Sequence, residues 1–291
     1  MSNQKTKYLL AVSGGPDSMF MLDEYKNKNI IVAHVNYNQR ADSGLDQKVV
    51  EDFCKRHNIM FYVLELSKND YVKGNFQSWA REQRYKFFKE VYVKENCDKL
   101  LISHNKDDFF ETAYMQKQSK RNVLFYGIKQ SNLINGINIY RPYLFKYFKN
   151  TITKKNQKNH TPFCFDYTNN LPKYSRNKIR LDFAKKTLYK NTFIACTLVK
   201  NFFLSFKRKK IQKEFQIWKE SRFKQDVFEK LKHKKHLVYQ YIHTYFSDEN
   251  IELSSLKIKS IIDFILSKNR TSKYLLKNGL YFVKLKGELL N

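Results

Sequence analysis

Through the first third of the chain, short apolar runs alternate with longer stretches of helical spacing. The runs are KYLLAV (7–12), NIIVAHV (29–35), IMFYVLEL (59–66) and DKLLIS (98–103). Each is short enough for a buried strand and is bounded by polar residues. Between them lie SMFMLDEYKNK and NFQSWAREQRYKFFKEVYVKEN. In the second, Phe76, Trp79, Ala80, Gln83 and Phe87 recur at three and four, which lines one helix face, and Asn75 stands where a cap belongs. Trp79 on that stripe reads as core in preference to a stacking platform. Arg81 and Arg84 face away from the stripe and are open to phosphate. Strand–helix alternation predicts a parallel sheet with helices on both faces, whose ligands bind beyond the carboxyl ends of the strands.

From about residue 120 to 175 the pattern turns irregular and reads as loops. The tail is helical in period again, and residues 201–240 hold twelve Lys and Arg against four acids. LSSLKIKSIIDFIL reads as one more amphipathic helix, and SKYLLKNGLYFVKLK as a hairpin turning at Asn278-Gly279. The expectation is an α/β domain over 1–190, followed by a smaller, mainly helical and basic domain over 191–291.

Composition adds a partner class. Across 291 residues, 55 basic side chains face 27 acidic ones, a formal net charge of +28. That excess points to a polyanion, although a coding bias toward lysine can produce the same count, and a solvated lysine face is the plain alternative for the tail. The four cysteines (Cys54, Cys97, Cys164, Cys196) include no CxxC pair, which argues against a zinc knuckle, an iron–sulfur site or a disulfide scaffold. No apolar run approaches the ~18 residues of a membrane helix, so the expected setting is soluble, reducing and cytoplasmic.

Candidate chemistry begins at SGGPDS (13–18), between a predicted strand and a predicted helix in a chain with eight glycines. Backbone N–H groups of such a turn, with the first turn of the helix, converge on an anion. Gly14 and Gly15 remove Cβ atoms that would hold a phosphate away, and Pro16 is expected in the same nucleotide-binding turn. Ser13 and Ser18 are expected to donate to phosphate oxygens, and Asp17 to ligate Mg²⁺ bridging carboxylate and phosphates. There is no loop lysine or GKS, so the pattern is not a Walker loop.

These residues resemble the SGGxDS signature of the PP-loop ATP pyrophosphatases, with their adenine nucleotide alpha hydrolase-like fold. Further stretches are similar to motifs of the tRNA(Ile)-lysidine synthetases within that group. They are HVNYNQRADSGLD (34–46), NFQSWAREQRY (75–85), SHNKDDFFET (103–112), RPYL (141–144) and YTNNLPKYSRNKIR (167–180). The chain departs from the family at Tyr37 and Asn105, where histidines are usual, at Phe109 for glutamine, and at Tyr167 and Thr168 for Asp-Pro, with Asp166 one place earlier.

The resemblance implies an ATP-dependent carbon–nitrogen ligase. It adenylates O2 of the wobble cytidine in an isoleucine tRNA with a CAU anticodon, then places free L-lysine on C2. Decoding changes from AUG to AUA, with 1–190 as the ATP-binding catalytic domain and 191–291 as the tRNA-binding domain, whose basic helices from Phe206 to Lys235 supply the surface for the RNA. Its cofactors are ATP and Mg²⁺, and its oligomeric state is open between monomer and homodimer. Carried residue by residue, Asp17 and Asp108 hold Mg²⁺, and His104, one turn before Asp108 if the segment is helical, meets the α-phosphate or the activated O2. Glu111 holds the lysine amine. Asp107 is either a third carboxylate of the site or a charge favoured at a helix start. His34 lies near adenine or ribose, or is a satisfied strand-end histidine. Arg176 and Arg180, at i and i+4, are expected to meet RNA phosphates in preference to internal salt bridges, since acids are scarce nearby. A sister PP-loop tRNA thiolase is the alternative, and it would want cysteine pairs for sulfur.

Overall fold

The computed structural model describes residues 6–39, 43–71, 73–119, 123–165, 175–246, 251, 253–277 and 279–290. Residues 40–42 and 166–174 of the motif stretches, and Asn278 of the predicted turn, lie outside the described residues.

The four predicted strands are present as β1 (Tyr8–Ala11), β2 (Ile30–Asn36), β3 (Met60–Glu65) and β4 (Lys99–Ile102). They alternate with α1 (Pro16–Tyr25), α2 (Ser43–Arg56) and α3 (Phe76–Lys94), and α4 (Lys106–Gln118) follows β4. A hairpin of β5 (Ser131–Ile134) and β6 (Ile137–Tyr140) completes a sheet ordered β3-β2-β1-β4-β6-β5, parallel except for β5. Side chains alternate across it. Leu9, in register with Ile31 and Leu100, packs toward Tyr85, Phe88 and Val91 of α3. Leu10, in register with Val32 and Leu101, packs with Met19, Phe20 and Phe53 of α1 and α2. Both faces of the sheet are thus covered, as a parallel sheet requires.

Two sequence expectations shift. On α3 the buried positions are Ala80, Tyr85, Phe88 and Val91, while Phe76, Trp79, Gln83 and Phe87 are only half-buried. Phe76 and Trp79 instead cluster with Tyr71, with ring centroids 5.4–5.7 Å apart. Asn75 does cap the helix, accepting from the Ser78 N–H. The stretch expected as loops contains β5, β6 and α5 (Lys149–Lys158). Its turn, Asn135-Gly136, takes φ of +50° and +81°, the double left-handed geometry that Asn-Gly provides in a two-residue hairpin.

After α6 (Ser175–Asp182), helix α7 runs from Thr187 to Glu220. The chain divides into two compact units, Met1–Thr197 and Leu198–Asn291. The second contains α8 (Gln225–Lys230), α9 (Lys234–Tyr245), α10 (Ser255–Leu266) and a three-stranded antiparallel sheet of β7 (Ser272–Lys277), β8 (Leu280–Leu285) and β9 (Glu288–Leu290). Trp218, Phe228, Tyr241 and Phe282 are fully buried at its centre. Lys284 is buried with them, its ammonium donating to the carbonyls of Phe264, Ile265 and Ser267 at the end of α10. A cation on the orphan carbonyls of a helix C-terminus offsets the cost of burying it.

Candidate active site

The sheet order reverses between β1 and β4, because β2 and β3 lie to one side and β6 to the other. Beyond the carboxyl ends of these two neighbours a crevice opens, and each strand feeds a helix whose N-terminus points there. After β1 comes the signature turn. Gly14 adopts φ +86°, and a Cβ there would meet the Asp46 carbonyl oxygen at 2.8 Å. Gly15 caps α1 with ordinary extended angles, and among the described residues a Cβ would meet only the Ser13 Oγ, at 3.7 Å. The fold therefore demands Gly14, while the fold alone would tolerate a side chain at Gly15. Ser18 is buried and occupied within the turn: its hydroxyl donates to the Gly15 carbonyl at 2.9 Å and accepts from the Ser13 N–H at 3.1 Å.

After β4 the chain passes Ser103 and His104 to Asn105, the N-cap of α4. The side-chain Oδ1 of Asn105 accepts from the N–H groups of Asp107 (2.8 Å) and Asp108 (3.4 Å), and Asp108 Oδ2 accepts from the Asn105 N–H at 2.9 Å. Two orphan donors are satisfied reciprocally, as in a capping box. The same Asn105 amide donates to Asp17 Oδ1 at 3.0 Å, tying the two helix starts together. Burial, reinforced by the nearby Asp108 charge, pushes the Asp17 carboxyl up to about 6. Asp17 and Asp108 repel each other here although Lys149, Arg176 and Arg180 lie close by, and a divalent cation would offset that repulsion. Mg²⁺, which binds through one or two carboxylates plus phosphates and water, fits this pair.

His104 precedes the cap and is not on the helix, so the expected helical relation to Asp108 does not hold. Its Nδ1 accepts a 3.0 Å hydrogen bond from Nε of Arg141, which is buried and further held by the Lys129 carbonyl and Asn132. An acceptor Nδ1 leaves the neutral ring with its proton on Nε2. Burial, with Arg141, Arg176 and Arg84 around it, holds the imidazole down at about 4 although Asp108 pulls upward. His104 is thus a neutral N–H donor near pH 7, not a base.

These residues share one hollow of about 770 Å³, lined by Ser13, Gly15, Pro16, Asp17, Ser18, His34, His104, Asp108, Lys149 and Arg180 among others. That volume is within the range of nucleotide-sized sites. His34, on β2, is buried. Its Nδ1 lies 2.8 Å from the Val12 carbonyl, so Nδ1 carries the proton, and Nε2 is a buried acceptor with no partner among the described residues. Burial lowers its pKa, which keeps that lone pair available.

A model of the PP-loop domain matches residues 1–187. A tRNA(Ile)-lysidine synthase of Mycoplasmopsis pulmonis is 46% identical over 278 residues, covering 96% of both chains. Another, from Mesomycoplasma hyopneumoniae, is 36% identical over 287 residues, covering 98% of this chain and 96% of its own. The chain belongs to the tRNA(Ile)-lysidine synthase family. Among solved structures, a U34-tRNA thiolase from Methanococcus maripaludis shares the fold at 18% identity and a TM-score of 0.53, over 67% of this chain and 72% of that one.

Within this family frame, several sequence expectations need correction. Arg176 and Arg180 were expected on RNA phosphates because acids seemed scarce. The fold brings the acids to them: Arg176 reaches Glu111 at 2.6 Å and Asp108 at 3.1 Å, and Arg180 reaches Glu111 at 2.8 Å. Residues 65 and more apart in sequence meet when α6 docks on α4. Glu111 is 1% exposed and committed to these arginines, so it is not presented to the hollow as a lysine-amine acceptor. Asp107 is occupied too, accepting from the Lys149 N–H and the Lys190 ammonium. Ser18 serves the turn, and Gly14 answers to Asp46. Arg81 is exposed and stacks over Tyr85 at 4.8 Å, whereas Arg84 is half-buried and close enough to depress His104.

Arg141 and Lys149 are site residues that sequence reasoning passed over. Arg141 opens the RPYL motif, and that motif is the signal that marks it in the sequence. Lys149 at the start of α5 lines the hollow and its charge opposes the rise at Asp17; nothing in its sequence neighbourhood marks it. Of the departures, Tyr37 lines the hollow while its hydroxyl donates to the Ala80 carbonyl at 3.0 Å. Asn105 is the N-cap described above, and Phe109 is fully buried in the core against Phe145.

Proposed function

We propose that this chain uses ATP to attach lysine to C2 of the wobble cytidine of an isoleucine tRNA with a CAU anticodon, in the cytoplasm. Near-full-length identity to enzymes named for that product carries the reading, and a hollow built from two helix N-termini supports it. The triphosphate lies against the backbone N–H groups of residues 13–18 and the positive end of α1, where Gly15 leaves room for it. The unpartnered Nε2 of His34 accepts from the adenine amino group or a ribose hydroxyl. Asp17 and Asp108 hold Mg²⁺, which when bound neutralises charge on the phosphates. The cytidine O2 attacks the α-phosphorus and pyrophosphate leaves. The Nε2–H of His104 donates to the oxygen on which charge builds in that step, a role suited to a neutral ring at pH 7.

The ε-amine of lysine then attacks C2, the C2–O2 bond breaks so that AMP leaves carrying O2 as one of its phosphate oxygens, and the amine gives up a proton. Since a free lysine ammonium has a pKa of about 10.4, a carboxylate must orient and relieve it. The amine is held beside the carboxylate cluster of the hollow, where Arg176 bridges Asp108 and the buried Glu111. The wobble base belongs to a single-stranded loop and can be turned into the hollow without breaking a pair. Release of pyrophosphate from Mg·ATP tests the first step. It should require the tRNA but not lysine, and fall at least 100-fold in Asp17→Asn and Asp108→Asn. Near-normal release in either variant would remove these carboxylates from the chemistry.

A further inference from the structure

One face of α7 is not used by anything described above. Phe202, Phe203 and Phe206 are 60%, 66% and 49% exposed, with rings touching edge to face at centroid distances of 5.7 and 5.1 Å. Spacing of three and four puts them on one side of the helix, and Lys210 and Lys213 continue the same side, both exposed, with Lys209 beside them. Three phenylalanines in one exposed patch are too many for a face that meets only water. The occupant follows from the charge. From Thr187 to Lys213 the helix has seven basic residues and no acid. A second copy laid on this face would oppose cation to cation. A lipid-bound helix would sort its cations to the flanks of the apolar sector, whereas here they prolong its line. A ligand that alternates flat apolar faces with negative charge is an unpaired polynucleotide.

We infer that the α7 face from Phe202 to Lys213 binds unpaired nucleotides of the tRNA, its phenylalanine rings stacking on bases and Lys209, Lys210 and Lys213 meeting the adjoining phosphates. This rests on the tRNA substrate proposed above. The eleven helical rises from Phe202 to Lys213 span about 16 Å, enough for a few nucleotides.

Two triple variants of the full chain test it: Phe202→Gln/Phe203→Gln/Phe206→Gln and Lys209→Gln/Lys210→Gln/Lys213→Gln. All six side chains are exposed, and glutamine keeps helix propensity. Affinity is measured across a salt series for the tRNA transcript, an unstructured oligoribonucleotide and a blunt RNA duplex. The phenylalanine variant should bind the transcript and the single strand about tenfold or more weakly, with the duplex and the salt slope unchanged. The lysine variant should flatten the slope of log affinity against log salt by about two. Unchanged affinity for the single strand would overturn the inference. So would a phenylalanine variant altered only in sedimentation or in binding to anionic vesicles. Failure of the parent chain to incorporate lysine while these shifts persist would sink the activity and leave the surface standing. Normal incorporation with no shifts would do the reverse.

Discussion

Gly14 and Gly15 look equivalent in the sequence, yet they answer to different demands. Gly14→Ala places a Cβ 2.8 Å from a backbone oxygen at φ +86° and should cost about 2–4 kcal/mol of stability, read by chemical denaturation. Gly15→Ala should leave stability within about 1 kcal/mol but weaken ATP binding tenfold or more, read by titration with nucleotide. The sequence marked both positions and could not separate them, since the partner of Gly14 lies on α2, some thirty residues away. Arg141 makes a second residue-scale case. Replacing it with Gln frees His104 Nδ1 and its tautomer. Pyrophosphate release should fall about 10–100-fold, and the nitrogen chemical shifts of His104 should report mixed tautomers. Unmixed shifts would show that Arg141 does not set the ring. Asp17 supplies a pH prediction. Its folded-state pKa, near 6, lies above the ordinary 3.8, so folding favours the protonated form. Without Mg²⁺ or nucleotide, the associated stability is complete below pH 4 and is lost as pH rises through 6, a change of about 1–3 kcal/mol. Asp17→Asn should abolish that slope in denaturation curves taken from pH 4 to 7.5.

At the scale of elements, the site exists because β1 and β4 are neighbours and their following helices start side by side. Alternating apolar runs made β1 to β4 legible, and a motif at the end of each of β1, β2 and β4 located the crevice. What remained illegible depends on contacts between distant segments. The docking of α6 onto α4 is set by Arg176 and Arg180 finding Glu111, and a local scan for nearby acids cannot see a carboxylate 65 residues back. Breaking that contact with Glu111→Ala should cost about 2–3 kcal/mol, because the two arginines lose a buried partner but can still reach water. Amide exchange across 175–182 should accelerate with it, and unchanged exchange would mean that other contacts hold α6. The β5–β6 hairpin went unread for a different reason. Its strands have four residues each, too short for alternation to stand out, although Asn135-Gly136 announced the turn.

For the whole molecule, charge and identity converge. A net +28 suits a polyanionic substrate, and the second unit builds its own aromatic core around Trp218 and Tyr241, burying Lys284 but leaving Lys209, Lys210 and Lys213 exposed. Binding of the tRNA should therefore weaken steeply with salt, by a factor of ten or more between 50 and 200 mM if only a few phosphates are contacted. A flat salt response would detach the charge from function. The central claim is that the hollow at the β1–β4 switch point activates one pyrimidine for attack by lysine. Incubation of the chain with Mg·ATP, labelled lysine and two isoleucine tRNA transcripts, one with cytidine and one with uridine at the wobble position, tests it most directly. Label should enter only the cytidine transcript and only with ATP present. Label in both transcripts, or in neither, would contradict the account.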